Sequence, residues 1–238
     1  MKATLFALFV FSFSLWGAEP KVVSFDKLQK RGKVGSQLIY IPNQDSPFTG
    51  KAIGLFENGQ KRVETSYRDA KLEGLFRWWY ENGQKKAERN YKAGKLDGVL
   101  TGWHMNGQVG SVMNYQEGKP DGLVTMWYKN GQKMSKSNFK DGKPDGIVTG
   151  WYINGQKKWE GNWKEGKTVS AKSWKPNGEK CPATNVKDGN GVGVQYKDDG
   201  TEESRYTFKD GEPVEEERSS KEELEELLKK SFPVASPI

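Results

Sequence analysis

The chain has 238 residues, of which 34% are hydrophobic and 12% aromatic, with 28 Gly and 9 Trp. Few aliphatics beside many rings and glycines argue against a helical bundle and for a turn-rich β structure of one or two domains. The single cysteine, Cys181, excludes an intrachain disulfide and a multi-thiol metal site, and the net charge of +7 divides unevenly along the chain.

At the start, Met1-Lys2 precedes the uncharged run "ATLFALFVFSFSLWGA". Its length and flanks fit a secretory signal over residues 1–18 better than a membrane span. Export to the periplasm, the cell envelope or the medium is the expectation. Residues 19–45 read as an irregular entry segment, with "QLIYI" as a capping strand.

From about residue 46 the sequence repeats. Asn58, Asn82, Asn106, Asn130 and Asn154 open an "NGQ" every 24 residues, Asn177 ("NGE") follows after 23 and Asp199 ("DGT") after 22. A fixed period of this size marks a repeat array. Each unit carries a second turn, as "KAGK", "QEGK", "KDGK" or "KEGK". The segments between turns, rich in Trp, Tyr, Val and Thr, predict two short strands per unit and a meander of hairpins.

Pro176 refines the hairpin loop. It precedes Asn177-Gly178, and its fixed φ suits the first central position of a type I turn. A three-residue loop with a left-handed Gly follows, which sets Trp79 opposite Lys85. Parity then groups Leu75, Arg77 and Trp79 with Ala87, Arg89 and Tyr91 on one face, and leaves Phe76, Trp78 and Tyr80 on the other.

Stacking the units produces columns. Leu55, Trp79, Trp103, Trp127, Trp151, Trp174 and Tyr196 form one; Tyr67, Tyr91, Tyr115, Phe139, Trp163 and, after a gap at Val186, Phe208 form another. The expected register lays both aromatic columns on one face. Trp79, Trp103, Trp127, Trp151, Trp174, Tyr91, Tyr115, Phe139 and Trp163 are therefore the candidate binding surface. A lone hairpin is marginal in water, so the units stabilise one another in series.

Residues 46–211 carry 28 Lys+Arg against 20 Asp+Glu, and residues 212–238 carry 4 against 8. A basic array is followed by an acidic tail. Within the tail, Ser219 or Ser220 caps a run with Leu224, Leu227, Leu228 and Phe232 at helical spacing. This predicts a short C-terminal helix that covers an open sheet edge or binds a partner.

Catalytic chemistry finds little footing. His104, the only histidine, occupies a column otherwise filled by Phe56, Tyr80, Tyr128 and Tyr152 and reads as a substituted repeat position. Cys181 lies beside Pro182 in an irregular unit and reads as a packed residue. Asp97, Asp121 and Asp145 recur once per unit as Asp-Gly turn chemistry, a poor layout for a convergent acid–base pair. Nothing requires a cofactor or a metal, and nucleic acid is not an expected partner.

The units, as in "GLFRWWYENGQKKAERNYKAGKLDG", resemble those of the MORN-repeat-variant proteins, a bacterial branch of the membrane occupation and recognition nexus repeats, often labelled YwqK-type antitoxins. The resemblance implies an elongated single-layer antiparallel sheet, of about seven tandem hairpins here, used for binding or scaffolding. The expected function is therefore that of a non-enzymatic exported β-repeat protein that binds another protein. The alternatives are binding of anionic lipid or glycan at a membrane surface, and an antitoxin paired with a cytoplasmic toxin.

Overall fold

A computed structural model describes residues 21–33 and 38–214 of the chain. The leader over 1–18 and the helix expected between Ser219 and Phe232 lie outside the described residues. Within them the architecture is almost wholly β. A 15-stranded sheet spans residues 22 to 173; from Gly50 onward it runs as an antiparallel meander whose strands are neighbours in chain order.

Five complete hairpins build this sheet. Their strand pairs are Gly50–Leu55 with Lys61–Arg68, Gly74–Trp79 with Lys85–Lys92, Lys95–Trp103 with Val109–Gln116, Gly122–Trp127 with Lys133–Lys140, and Gly146–Trp151 with Lys157–Lys164. The strand Lys167–Ser173 pairs with the last of them. The expected series of seven in one meander is cut short. The sixth unit keeps only the isolated bridges Trp174↔Lys180 and Lys187↔Asn190. The seventh hairpin, Gly191–Tyr196 with Glu202–Lys209, belongs to a separate three-stranded sheet.

The two turns of each unit differ in kind. At the Asn-Gly end the loop is Glu81-Asn82-Gly83: Gly83 N–H donates to Tyr80 O at 2.9 Å and Tyr80 N–H donates to Gln84 O at 2.8 Å. Gly83 has φ +82°, and Trp79 faces Lys85, the arrangement expected from Pro176. At the opposite end Ala93 and Gly94 have φ +50° and +84°, a two-residue type I′ turn that returns Lys92 directly onto Lys95. Glu117, Asp141 and Glu165 adopt the same left-handed conformation before their glycines.

A second irregularity changes the faces. The register shifts between Trp78 and Trp79, so that Trp78 pairs with Ala87 and Phe76 with Arg89, leaving Lys86 as an extra residue. Equivalent shifts recur at Leu55, Trp127 and Trp151. Each such β-bulge inverts the side-chain parity of everything beyond it. Phe76 and Trp78 therefore share a face with Ala87, Arg89 and Tyr91, whereas Leu75, Arg77 and Trp79 share the other with Glu88 and Asn90. The expectation that both aromatic columns lie on one face is wrong.

The core follows from this parity. Ala52, Val63, Phe76, Leu100, Met113 and Val124 are buried on the face that carries Tyr67, Tyr91 and Phe139. One cluster joins Leu100, Met113, Val124, Met126 and Phe139 across the third and fourth hairpins. At the N-terminal end a second cluster joins Ile39, Phe48, Ala52, Tyr67 and Ala70.

The first sheet edge is closed by Val22–Ser24, which pairs in parallel with Gly50–Leu55. Within the "QLIYI" segment, the strand lies outside the long sheet. Leu38–Tyr40 pairs with Gln29–Arg31 in its own ribbon, and Ile39 packs its side chain onto the first hairpin. At the other end, Thr168 N–H donates to Gly211 O, which ties the small sheet to the last long strand, and Ala171 N–H donates to Val186 O of the irregular sixth unit.

Candidate functional site

Two side-chain ladders at the turns fix the geometry of the open face. In each Asn-Gly loop the Asn Oδ1 accepts the N–H two residues on, as Asn82 does from Gln84 at 3.1 Å. Its Nδ2 then donates to the next unit, Asn82 to Met105 O at 3.2 Å and Asn130 to Ile153 O at 3.0 Å. Asn thus both shapes its own turn and stitches it to the following one, which explains the constant "NGQ".

The second ladder is the column of Tyr80, His104, Tyr128 and Tyr152. Tyr80 Oη donates to Trp103 O and Tyr128 Oη to Trp151 O, each at 2.8 Å. His104 Nε2 makes the equivalent contact to Trp127 O at 2.8 Å. A carbonyl accepts, so Nε2 is the donor in this contact. His104 is a structural substitute for Tyr, in agreement with its place in the sequence column. Burial pushes the Tyr80 and Tyr128 hydroxyls above their ordinary range.

The acidic row is likewise engaged. Asp121 Oδ2 accepts the Asp141 N–H at 3.2 Å, Asp145 Oδ2 accepts the Glu165 N–H at 3.3 Å, and Glu73 fills the same role for Ala93 at 2.9 Å. Asp97 contributes its carbonyl, which accepts Asn90 Nδ2 at 2.7 Å. Among the described residues no group of three or more His, Cys, Asp or Glu is placed to hold a metal ion. Cys181 is 1% exposed, and Tyr196 Oη donates to its sulfur at 3.0 Å. That bond and burial push the Tyr196 hydroxyl up to about 12.

The candidate surface divides in two. Tyr91, Tyr115, Phe139 and Trp163 belong to the core face; Phe139 is buried and the others are half-buried. Trp79, Trp103, Trp127, Trp151 and Trp174 line the open face and are half-buried. There a lysine from the preceding unit lies over most of the rings: Lys61 over Trp79 at 5.8 Å, Lys85 over Trp103 at 5.4 Å, Lys133 over Trp151 at 6.0 Å and Lys157 over Trp174 at 5.0 Å. Such cation–ring contacts are favourable at a solvated surface.

The open face has three stripes. Beside the Trp column runs a polar row, Glu64, Arg77, Glu88, Thr101, Val112, Thr125, Lys136, Thr149 and Glu160, each the cross-strand partner of the next. Beyond it lies an exposed aliphatic stripe of Leu75, Val99, Leu123 and Ile147. Sequence reasoning missed this stripe, although its signal was present. The residue after Gly74, Gly98, Gly122 and Gly146 is always aliphatic, and parity with the Trp column places it on the same face.

Ion pairs stiffen parts of the polar row. Glu64 binds Lys61 at 2.7 Å and Lys51 at 2.9 Å, and these hydrogen bonds hold its carboxyl down at about 2. Glu88 binds Arg77 at 2.8 Å, and Glu160 binds Lys157 at 2.7 Å.

A sheet of stitched hairpins with a periodic solvated face defines a β-hairpin repeat protein. Within it, residues 72–93 and 120–141 match the family model described as MORN repeat variant. The matches fall on the second and fourth hairpins, each running from the second residue after one turn to the first residue of the next. A comparison with curated proteins finds no match.

Proposed function

We propose that this chain is a non-enzymatic binding and scaffold protein that acts outside the cytoplasm and docks a protein partner across its open face. The observation that carries the reading is the row of half-buried tryptophans on that face. Aromatic side chains held on a stiff sheet supply large contact area at small entropic cost, which is the usual chemistry of a binding hot spot. The engagement of His104, Asp121 and Asp145 in bonds between units supports the same view, because it removes them from acid–base work.

A photo-crosslinking residue at Leu123, on the open face, tests this on intact cells, with one at the turn residue Met105 as control. Recovery of the same neighbour from Leu123 alone, lost in a Trp127→Ala, Trp151→Ala variant, is expected. No reproducible neighbour, or the same set from both positions, would overturn it. The lysine–ring pairs also favour a second reading, in which the face takes an anionic lipid or glycan. Flotation with anionic vesicles at low and physiological salt separates this reading from the first. A full-length chain confined to the cytoplasm would instead make a toxin the first partner to seek.

A further inference from the structure

The ion-pair lattice of the open face has a gap. In the first, second and fifth hairpins the strand after the Asn-Gly loop begins with a lysine and carries a glutamate three residues on: Lys61 and Glu64, Lys85 and Glu88, Lys157 and Glu160. The third hairpin has Val109 and Val112 at these positions, and the fourth has Lys133 and Lys136. Among the described residues no carboxylate pairs with Lys133 or Lys136, and both are exposed. Lys136 stands between Thr125 and Thr149 in the polar row. Immediately beside this uncompensated pair, Leu123 is 43% and Ile147 56% exposed. The two lysines and the neighbouring aliphatic stripe together form one window, cationic on one side and apolar on the other.

We propose that this window is the docking site of the chain's own acidic segment Ser219–Phe232, which would lie across the face of the sheet and not along its edge. The chemistry is complementary. If residues 220–232 are helical, Leu224, Leu227, Leu228 and Phe232 form one apolar stripe, and Glu223 and Glu225 border it on its two sides. Leu224 to Phe232 then spans about 12 Å at 1.5 Å per residue. Leu123 and Ile147 belong to corresponding strands of successive hairpins, two strand spacings or about 10 Å apart. The apolar stripe of the segment thus matches one period of the aliphatic stripe, and the glutamate on the flank that faces the polar row meets Lys136, the nearer of the two lysines.

Reach is not limiting. Gly211 O accepts the Thr168 N–H, and from Lys167–Ser173 to Lys133–Lys140 is three strand spacings, about 14 Å. Residues 215–219, ahead of the helix, span up to about 17 Å when extended. Charge argues for this occupant over a basic or neutral one. Residues 215–238 carry 7 acidic against 4 basic side chains, opposite in sign to the array. A docked segment would cover the surface assigned above to the partner, so the inference rests on that reading only for its consequence, namely competition. The docking itself is tested in the purified chain without any partner.

Zero-length carboxyl–amine coupling of the full-length protein, with the products mapped by mass spectrometry, is the test. Lys157–Glu160 serves as an internal control for coupling. The expected product joins Lys133 or Lys136 to a glutamate between Glu222 and Glu226. An equal mixture of isotope-labelled and unlabelled chains should show that the two residues come from one molecule. In a full-length Leu224→Ser, Leu228→Ser variant, acylation of Lys136 by an amine reagent should accelerate about tenfold, the factor that ~1.4 kcal/mol of docking supplies. Coupling of Glu160 without any product from the tail, products that place the tail elsewhere, or products only between labelled and unlabelled chains would each overturn the proposal. If the tail couples as expected while photo-crosslinking at Leu123 finds no neighbour, the docking stands and the partner reading falls.

Discussion

The hairpins from Gly50 to Lys164 and the units after Trp174 begin from the same sequence pattern and reach different structures. In the first region the period is constant at 24, and each Asn reaches the next turn, as Asn106 does to Lys129 O at 2.9 Å. In the second the period falls to 23 and 22. Asn177 still shapes its own turn through Glu179 N–H at 2.9 Å, but among the described residues its Nδ2 does not reach the next unit. The continuous ladder ends there.

Tertiary contacts hold the second region in place of the ladder. Ser173 and Thr184 share a buried hydroxyl bond of 2.6 Å, and Val194 N–H donates to Thr184 Oγ1 at 3.0 Å. Tyr152 Oη lies 2.7 Å from Trp174 O and 3.4 Å from Tyr196 O, bridging the two sheets. Lys158 pairs with Glu203 at 2.8 Å across the same join. Repetition therefore stabilises only where the spacing is kept. Once it shortens, particular buried polar groups take over, and their loss should be felt locally.

The regular region is most sensitive in its core. Met113 is 2% exposed in the cluster shared by the third and fourth hairpins. Met113→Ala should lower the unfolding free energy by about 2–4 kcal/mol in urea titration and loosen several hairpins together in hydrogen exchange. Thr184→Val, at the join, should cost about 1–2 kcal/mol, because a buried hydroxyl network loses one member. Its exchange protection should fall only within 167–214.

Acid should separate the ends of the long sheet. The Glu64 carboxyl is held at about 2 by Lys51 and Lys61. Its folded value lies below the unfolded one, so its contribution is complete above about pH 4.5 and is lost as pH falls toward 2. Glu64→Gln should remove about 1–2 kcal/mol at pH 7 and flatten the dependence of stability on pH in that window. A variant whose stability still falls as steeply between pH 4.5 and 2 would assign the effect elsewhere.

Smaller effects sharpen the contrast at the turns. Asn130→Ala removes both the turn bond and the stitch to Ile153 and should cost about 1 kcal/mol. Asn177→Ala removes only a local bond and should cost about half as much. Equal losses in thermal or urea unfolding would show that the stitch between units contributes nothing.

Much of this fold is legible in the sequence, and the part that is not has a physical cause. Gly83 and Gly94 announce their turns because only glycine readily takes a φ near +80°. Pro176 announces the loop length, and with it the pairing of Trp79 and Lys85. The bulge after Lys85 has no such marker. Lys86 has no positive φ, so any residue can occupy the position and none is selected. One unmarked residue was enough to misplace Tyr91, Tyr115, Phe139 and Trp163 on the binding face. The roles of His104 and Asp121 were legible as repeat positions, whereas their acceptor and donor partners, 23 and 20 residues away, required the stacked structure.

The open face is the centre of this account, and it exists because of that bulge. Thiol labelling of single cysteines introduced in turn at Lys133, Ser135, Lys136, Ser137 and Asn138, in a Cys181→Ser, Leu224→Ser, Leu228→Ser chain that leaves the face uncovered, measures it directly. Rapid labelling at 133, 136 and 138 with protection at 137 is the predicted pattern, since Lys133 and Lys136 share a face though three residues apart. Labelling that alternates without a break, with 133, 135 and 137 fast and 136 and 138 slow, would remove the bulge and return both aromatic columns to one side.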